Sequence, residues 1–162
     1  MRAPDRARHR PVDAVRARAA GIAAGVLAAG LALLVVSGAR GAGLGVRDGR
    51  LAPCPQTPNC VSSQAADAGH AIAPLRYAGS PDAARERLKQ VVAAMPRTRL
   101  VAERDGYLHY EFTSLIFRFV DDVEFWVDDQ AGLIHVRSAS RVGRSDLGVN
   151  RKRVERLRER FS

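Results

Sequence analysis

The chain has 162 residues, 46% of them hydrophobic and 27% charged, with 26 Lys+Arg against 17 Asp+Glu and a formal net charge of +9. That length suits one modest domain, and the balance excludes wholesale disorder, a collagen-like repeat and a polytopic membrane bundle. Its two cysteines are too few for a disulfide-stapled mini-protein or a four-cysteine zinc site.

The positive charge is unevenly spread. Residues 1–18 hold six arginines and two aspartates, whereas residues 19–38 are Ala, Gly, Leu, Val, Ile and Ser with no charge. Twenty such residues in a helix reach across a bilayer core of about 30 Å. Arginines on the N-terminal side put that end in the cytoplasm. The expectation is a basic cytoplasmic leader (1–18), a transmembrane signal anchor (19–38), a flexible glycine-rich tether (39–50) and a folded domain (51–162). The protein would then be single-pass in the cytoplasmic membrane, with its domain on the periplasmic side. Small residues at Ser37 and Ala39 support the alternative, a signal peptide cut after Ala39 and a secreted product. Proline before Cys54, far beyond the apolar run, argues against a lipoprotein box. Gly21 and Gly25 form a GxxxG pair, which chance readily supplies in so Ala/Gly-rich a run.

Within the domain, Ser80-Pro81-Asp82 is a helix start, and Ala84, Leu88, Val91, Val92 and Met95 form its apolar stripe, ended by Pro96. Residues 99–103 and 107–113 flank Asp105-Gly106, a dipeptide suited to tight hairpin turns. A longer β-like stretch covers 115–128, and a turn at 129–132 leads into a strand over 133–140. Pairing Asp129 with Gly132 sets Val127 opposite Ile134, Phe125 opposite Val136 and Glu124 opposite Arg137, a register that sorts apolar from charged faces. Residues 147–161 form a last helix, with Val154, Leu157 and Phe161 at helical spacing and Ser145 or Asp146 as cap. The order predicts an α+β domain, a four-stranded antiparallel sheet with helices packed on one face.

Two stretches carry possible chemistry. Cys54 and Cys60 bracket a five-residue, proline-containing loop. In an oxidising compartment such a pair closes a disulfide; free thiols and a redox or metal pair are the other readings, although neither Cys-x-x-Cys nor a haem-attachment spacing occurs. Ser62 and Ser63 follow with no histidine nearby in sequence and read as turn caps rather than nucleophiles. In the second stretch, strict alternation puts Asp121 on the face of Phe117, Phe119, Val123 and Phe125. A carboxylate there needs either a bulge to turn it outward or a buried partner, with Ser140 opposite and Arg141 adjacent. Arg137, Ser138, Ser140, Arg141, Asp146, Asn150 and Arg153 then form an arginine-, hydroxyl- and amide-rich region suited to an anion. The reading these charge-rich residues favour is a buried salt-bridge network, joining Asp121, Asp122 or Glu124 to Arg137 or Arg141 and fixing the final helix on the sheet. His9, His70, His109 and His135 are scattered without the spacing of a zinc-binding helix; His109 and His135 could converge across the sheet, but one or both read more simply as surface strand residues, so neither a metal nor another cofactor is expected.

Three runs together, Cys-Pro-Gln-Thr-Pro-Asn-Cys-Val-Ser-Ser (54–63), Phe-Val-Asp-Asp-Val-Glu-Phe (119–125) and the stretch from Val136 to Arg153, resemble the domain-of-unknown-function 1499 family over residues 51–161. Arg144 departs from a position often aromatic in that family. The resemblance implies the domain boundaries and an envelope setting, and it brings no reaction, cofactor or catalytic residue.

Two functions follow as expectations. One is a non-catalytic, membrane-tethered envelope module, binding or structural, that uses the Arg/Ser/Asp-rich surface, with an anionic small molecule, a lipid headgroup or an envelope protein as partner. The other is an envelope hydrolase or transferase on an anionic substrate, with Asp121, Asp122 or Glu124 as acid/base. Nucleic acid is not expected as a partner, because the basic final helix faces away from the cytoplasm and no aromatic platform accompanies it.

Overall fold

Asp105 and Gly106 take φ of 46° and 75°, the paired left-handed conformations of a two-residue hairpin turn. They join strands β5 (Thr98–Arg104) and β6 (Tyr107–Thr113), as their composition dictates. The computed structural model describes residues 43–162. The leader and the proposed membrane segment lie outside the described residues, among which no helix is long and apolar enough to cross a membrane.

Before β5 come β1 (Val46–Arg47), β2 (Arg50–Leu51), β3 (Cys60–Ser62), β4 (Leu75–Arg76) and helix α1 (Pro81–Ala93). After β6 come β7 (Val120–Asp128), β8 (Leu133–Ser140) and helix α2 (Val149–Phe161). The class is α+β with antiparallel pairing, but the main sheet has six strands rather than four. Its order is β3-β8-β7-β6-β5, with β4 also on β8. The two additional strands are three and two residues long, too short to display alternation, and they form because β8 offers them an open edge. Outermost β5 carries a register shift between Leu100 and Ala102.

The β7–β8 register is the expected one, with Val127 opposite Ile134, Phe125 opposite Val136 and Glu124 opposite Arg137. The strand before it is shorter than expected. Ser114 and Phe119 close a loop through Ser114 N–H to Phe119 O and Phe119 N–H to Ser114 Oγ, both 2.8 Å. Residues 115–118 are therefore a hairpin tip, and Phe117 and Phe119 are exposed instead of sharing the core face with Val123 and Phe125.

Ser80 caps α1 by accepting the Ala83 N–H, with Pro81 opening the helix. The face carrying Ala84, Leu88, Val92 and Met95 packs with Val154, Leu157 and Phe161 of α2 onto Leu108, Tyr110, Phe112, Val123, Phe125, Ile134 and Val136 of the sheet. Both helices thus cover one face. α2 starts two residues later than expected, after Leu147 and Gly148 at φ 53° and 77°. Asp146 supplies its cap, accepting the Gly148 and Asn150 N–H groups.

A second Asp-Gly turn lies where the sequence reading has tether. Asp48 and Gly49 take φ of 50° and 69° and join β1 to β2. The hairpin rests on the strands: Gly49 lies against Trp126, where an added Cβ would meet the indole at 3.0 Å. Folded structure is thus present ahead of residue 51, where this hairpin covers the sheet face opposite the helices.

Candidate functional site

Side chains alternate across a strand, so Asp121 and Asp122 cannot share a face. The expected Arg/Ser/Asp-rich surface is in fact two networks on opposite sides of the sheet. Asp121, Ser138, Ser140, Asp146, Asn150 and Arg153 lie on the helix side; Asp122, Glu124, Arg137 and Arg141 lie on the other. Most are buried.

On the helix side, Asp121 stays inward with no bulge, and its partner is Arg153 of α2, Nη2 to Oδ2 at 2.5 Å, rather than Arg141. About one turn beyond the helix start, that guanidinium lies over the sheet, where it also stacks on Phe112 at 4.9 Å. Its Nη1 donates to Ser138 Oγ and Asn150 Oδ1, and Ser138 Oγ donates to the same Asn150 oxygen at 2.5 Å. The Asn150 amide NH2 donates to Asn59 O, Ser140 Oγ and Asp146 Oδ2. Nearly every polar group here is spent on another. The network locks the start of α2 to β8 and to the disulfide loop.

On the opposite face, Glu124 is fully buried. Its carboxylate accepts from Arg137 Nη1 at 2.9 Å, Tyr107 Oη–H at 2.8 Å and the backbone N–H of Gly45 at 2.7 Å. Burial, reinforced by this carboxylate, pushes the Tyr107 hydroxyl far above its ordinary pKa. Next along β7, Asp122 meets Arg141 through Nε and Nη2 at 2.9 and 2.7 Å, and His109 Nε2 lies 2.7 Å from its Oδ1. Arg141 also reaches Glu111, at 2.6 Å. His109 is therefore buried beside a carboxylate, not a surface strand residue.

Burial alone would raise the Asp122 carboxyl, but hydrogen bonds from Arg141 and His109 outweigh it and hold the group at about 2. The same contest, burial against Arg141 and Arg99, lowers Glu111. Burial lowers His135, with Asp128 opposing. These shifts contribute to the acid limb of stability. A histidine that is easier to deprotonate when folded costs stability as pH falls from 6.5 toward its lower folded pKa, where only the unfolded chain takes up the proton. A carboxyl at about 2 when folded and 3.8 when unfolded contributes fully above pH 4, by about 2 kcal/mol, and is exhausted near pH 2. Urea midpoints are expected to decline in these two windows, with Asp122→Asn flattening the lower one. An unaltered lower limb in that variant would show that another group governs it.

The disulfide loop borders this face. Cys54 and Cys60 are bonded, with Cα atoms 5.7 Å apart. A cleft of about 310 Å³ opens between Leu44, the Pro53–Pro55 segment, Ala139 and the side chains of Asp122, Arg137 and Arg141. The Nε of Arg137 is buried without a hydrogen-bond partner. A second cleft, of about 540 Å³, lies between β1, β2 and residues 62–67.

The fold also brings a histidine to Ser63 that the sequence places far away. Ser63 Oγ lies 3.2 Å from His135 Nδ1, and Asp128 lies 3.7 Å from the other ring nitrogen. The arrangement resembles a nucleophile, base and orienting acid, but Ser63 Oγ already accepts the Val136 N–H at 2.9 Å and none of the three side chains lines either cleft. It is a strap on the β8 edge. Ser62 Oγ accepts the Gln64 N–H, a turn-capping role. Among the described residues no three His, Cys, Asp or Glu side chains converge as a metal site.

Sequence reasoning missed Tyr107, His109, Glu111 and Gly45 as members of the charged face. Parity would have found the first three, since Tyr107, His109 and Glu111 alternate with core Leu108, Tyr110 and Phe112. Nothing in the glycine-rich lead-in signals that Gly45 reaches Glu124.

No curated protein and no solved structure matches the chain. A family model does match residues 50–161, the whole of the disulfide loop, the six-stranded sheet and both helices. The chain therefore belongs to the family described as protein of unknown function (DUF1499).

Proposed function

We propose that this chain is a membrane-tethered domain of the cell envelope that binds a ligand rather than catalysing a reaction. Residues 19–38 serve as its anchor and the folded domain lies on the periplasmic side. What carries the binding reading is the condition of Asp121, Asp122 and Glu124. Each is buried and each is already held by a guanidinium: Arg153, Arg141 and Arg137 respectively. A general acid or base works best with a pKa near the operating pH, and Asp122, the one of the three that borders a cleft, sits at about 2. The hydrolase or transferase alternative thus finds no group ready to move a proton there. The Cys54–Cys60 bond supports an oxidising compartment.

The ligand is a small carboxylate or phosphate group in the cleft between the disulfide loop and β8. Arg137 and Arg141 supply donors and Leu44, Pro53 and Pro55 an apolar wall. Titration of the detergent-solubilised full chain with glycerol phosphate and with succinate, followed by calorimetry, is expected to give saturable one-to-one binding with one of them. Ala139→Leu fills the cleft without touching an ion pair and should abolish it. Absence of saturation with both anions, or equal binding by the filled variant, would sink the ligand reading. A reporter fused at Ser162 that is active only in the cytoplasm would sink the topology.

A further inference from the structure

The β6–β7 and β8–α2 loops emerge from adjacent strands at one end of the sheet, joined by the Arg141 N–H bond to Val120 O at 3.2 Å. The first carries Leu115, Ile116, Phe117 and Phe119 in water, with Ile116 78% exposed and the two phenylalanines stacked on each other at 5.5 Å. The second adds Val142 and Leu147. Leu147 is 87% exposed and holds φ 53°, a conformation that costs a branched side chain and suits glycine or asparagine better. Among the described residues, Leu100 and Val101 are the only exposed large hydrophobics away from this end. Folding gains nothing from such a cluster, and contiguous apolar patches on soluble domains mark contact surfaces.

We propose that this pair of loops is a membrane-docking surface whose occupant is the headgroup and upper acyl region of an anionic bilayer. Two observations select lipid. The first is charge. Arg118 and Arg144 lie within the two loops and Arg97 at the base of the first, where it donates to Thr113 O; all three are exposed and without an ion-pair partner among the described residues. The loops' one acid, Asp146, is occupied capping α2. Apolar and aromatic side chains set among arginines suit an anionic membrane interface. The second is reach. The described chain begins at Gly43 and Leu44, and Leu44 lies beside Ser140 and Arg141 at this same end of the sheet. In sequence only residues 39–42 separate Leu44's neighbour Gly43 from the uncharged run ending at Gly38, a span of at most about 18 Å when fully extended. This second point rests on the tether proposed above. With so short a link, the bilayer is the apolar phase within reach of the patch.

The test uses the full chain reconstituted in phosphatidylglycerol-containing vesicles. A Phe117→Trp change is made in a Trp126→Phe background, so that one indole reports from the loop tip, and a Leu147→Trp variant repeats the measurement on the other loop. Docking predicts blue-shifted emission, loss of emission with lipids brominated near the headgroup, and protection from aqueous iodide. An iodide-accessible indole with no effect of brominated lipid overturns the proposal. An indole shielded from iodide but untouched by brominated lipid also overturns it, because protein, such as a second copy, then covers the patch. Alkaline carbonate washing is read separately: release of the chain refutes the tether while the quenching result still decides the docking.

Discussion

Replacing Arg153 with methionine is expected to cost about 3–5 kcal/mol of folding stability, because the change leaves the Asp121 carboxylate buried without its counter-charge. A typical domain has only about 5–15 kcal/mol in total, so the variant should sit near the edge of folding. The loss comes from stranding the partner more than from the bond itself. Ser138 and Asn150, the other hydrogen-bond partners of Arg153, stay bonded to each other. Removing both charges in Asp121→Leu/Arg153→Met should therefore recover most of the loss, since a well-packed apolar pair often matches a buried ion pair. Urea unfolding followed through Trp126, the single tryptophan, measures both. A single-variant loss below about 1 kcal/mol, the range of an exposed pair, would mean that Asp121 is solvated and that α2 is held by its apolar face alone.

The second large effect is expected on the opposite side of the sheet. Glu124→Leu orphans three donors at once: the Arg137 guanidinium, the Tyr107 hydroxyl and the Gly45 N–H. A buried arginine without its carboxylate again costs about 3–5 kcal/mol, and each neutral donor left unmet adds about 1–3 kcal/mol unless it relaxes to water. Gly45 has an easy way to relax, by letting the β1–β2 hairpin lift away. The substitution should thus release this segment before it unfolds the sheet. Limited trypsin digestion is expected to cut after Arg47 and Arg50 much faster than in the parent, at urea concentrations where far-ultraviolet circular dichroism still reports a folded sheet. Glu124→Gln keeps the shape and two acceptor directions and should fall between. Equal cleavage in Glu124→Leu and the parent would show that Glu124 does not hold the hairpin.

These two residues also mark how far the sequence could be read. The β7–β8 register followed from a four-residue turn and the wish of Phe125 and Val127 to face Val136 and Ile134. With it came Glu124 opposite Arg137, a pair the structure contains. Asp121 was legible as a problem, a carboxylate on an apolar face, but not as a solution. Its partner lies 32 residues away on a helix, and helix placement over a sheet is a packing outcome that no local pattern encodes. The short strands β3 and β4 were invisible for another reason, since two or three residues cannot show a period. The β1–β2 hairpin was within reach, because Asp48-Gly49 carries the same turn signal as Asp105-Gly106. The glycines around it masked that signal. The candidate site residues were recognised as a group by composition, yet strand parity alone was enough to divide them between two faces.

The outer strand β5 has one more consequence. An antiparallel sheet ends in unpaired backbone groups that invite another copy's strand, and exposed Leu100 and Val101 would strengthen such an addition. The register shift between Leu100 and Ala102 interrupts the regular spacing of those groups, and Arg99 and Arg104 put charge along the same strand. At the far side, the edge of β8 is covered piecemeal by β3 and β4 and offers no continuous ladder. Among the described residues, then, neither border of the sheet presents the continuous, regularly spaced ladder that would let another copy's strand extend it.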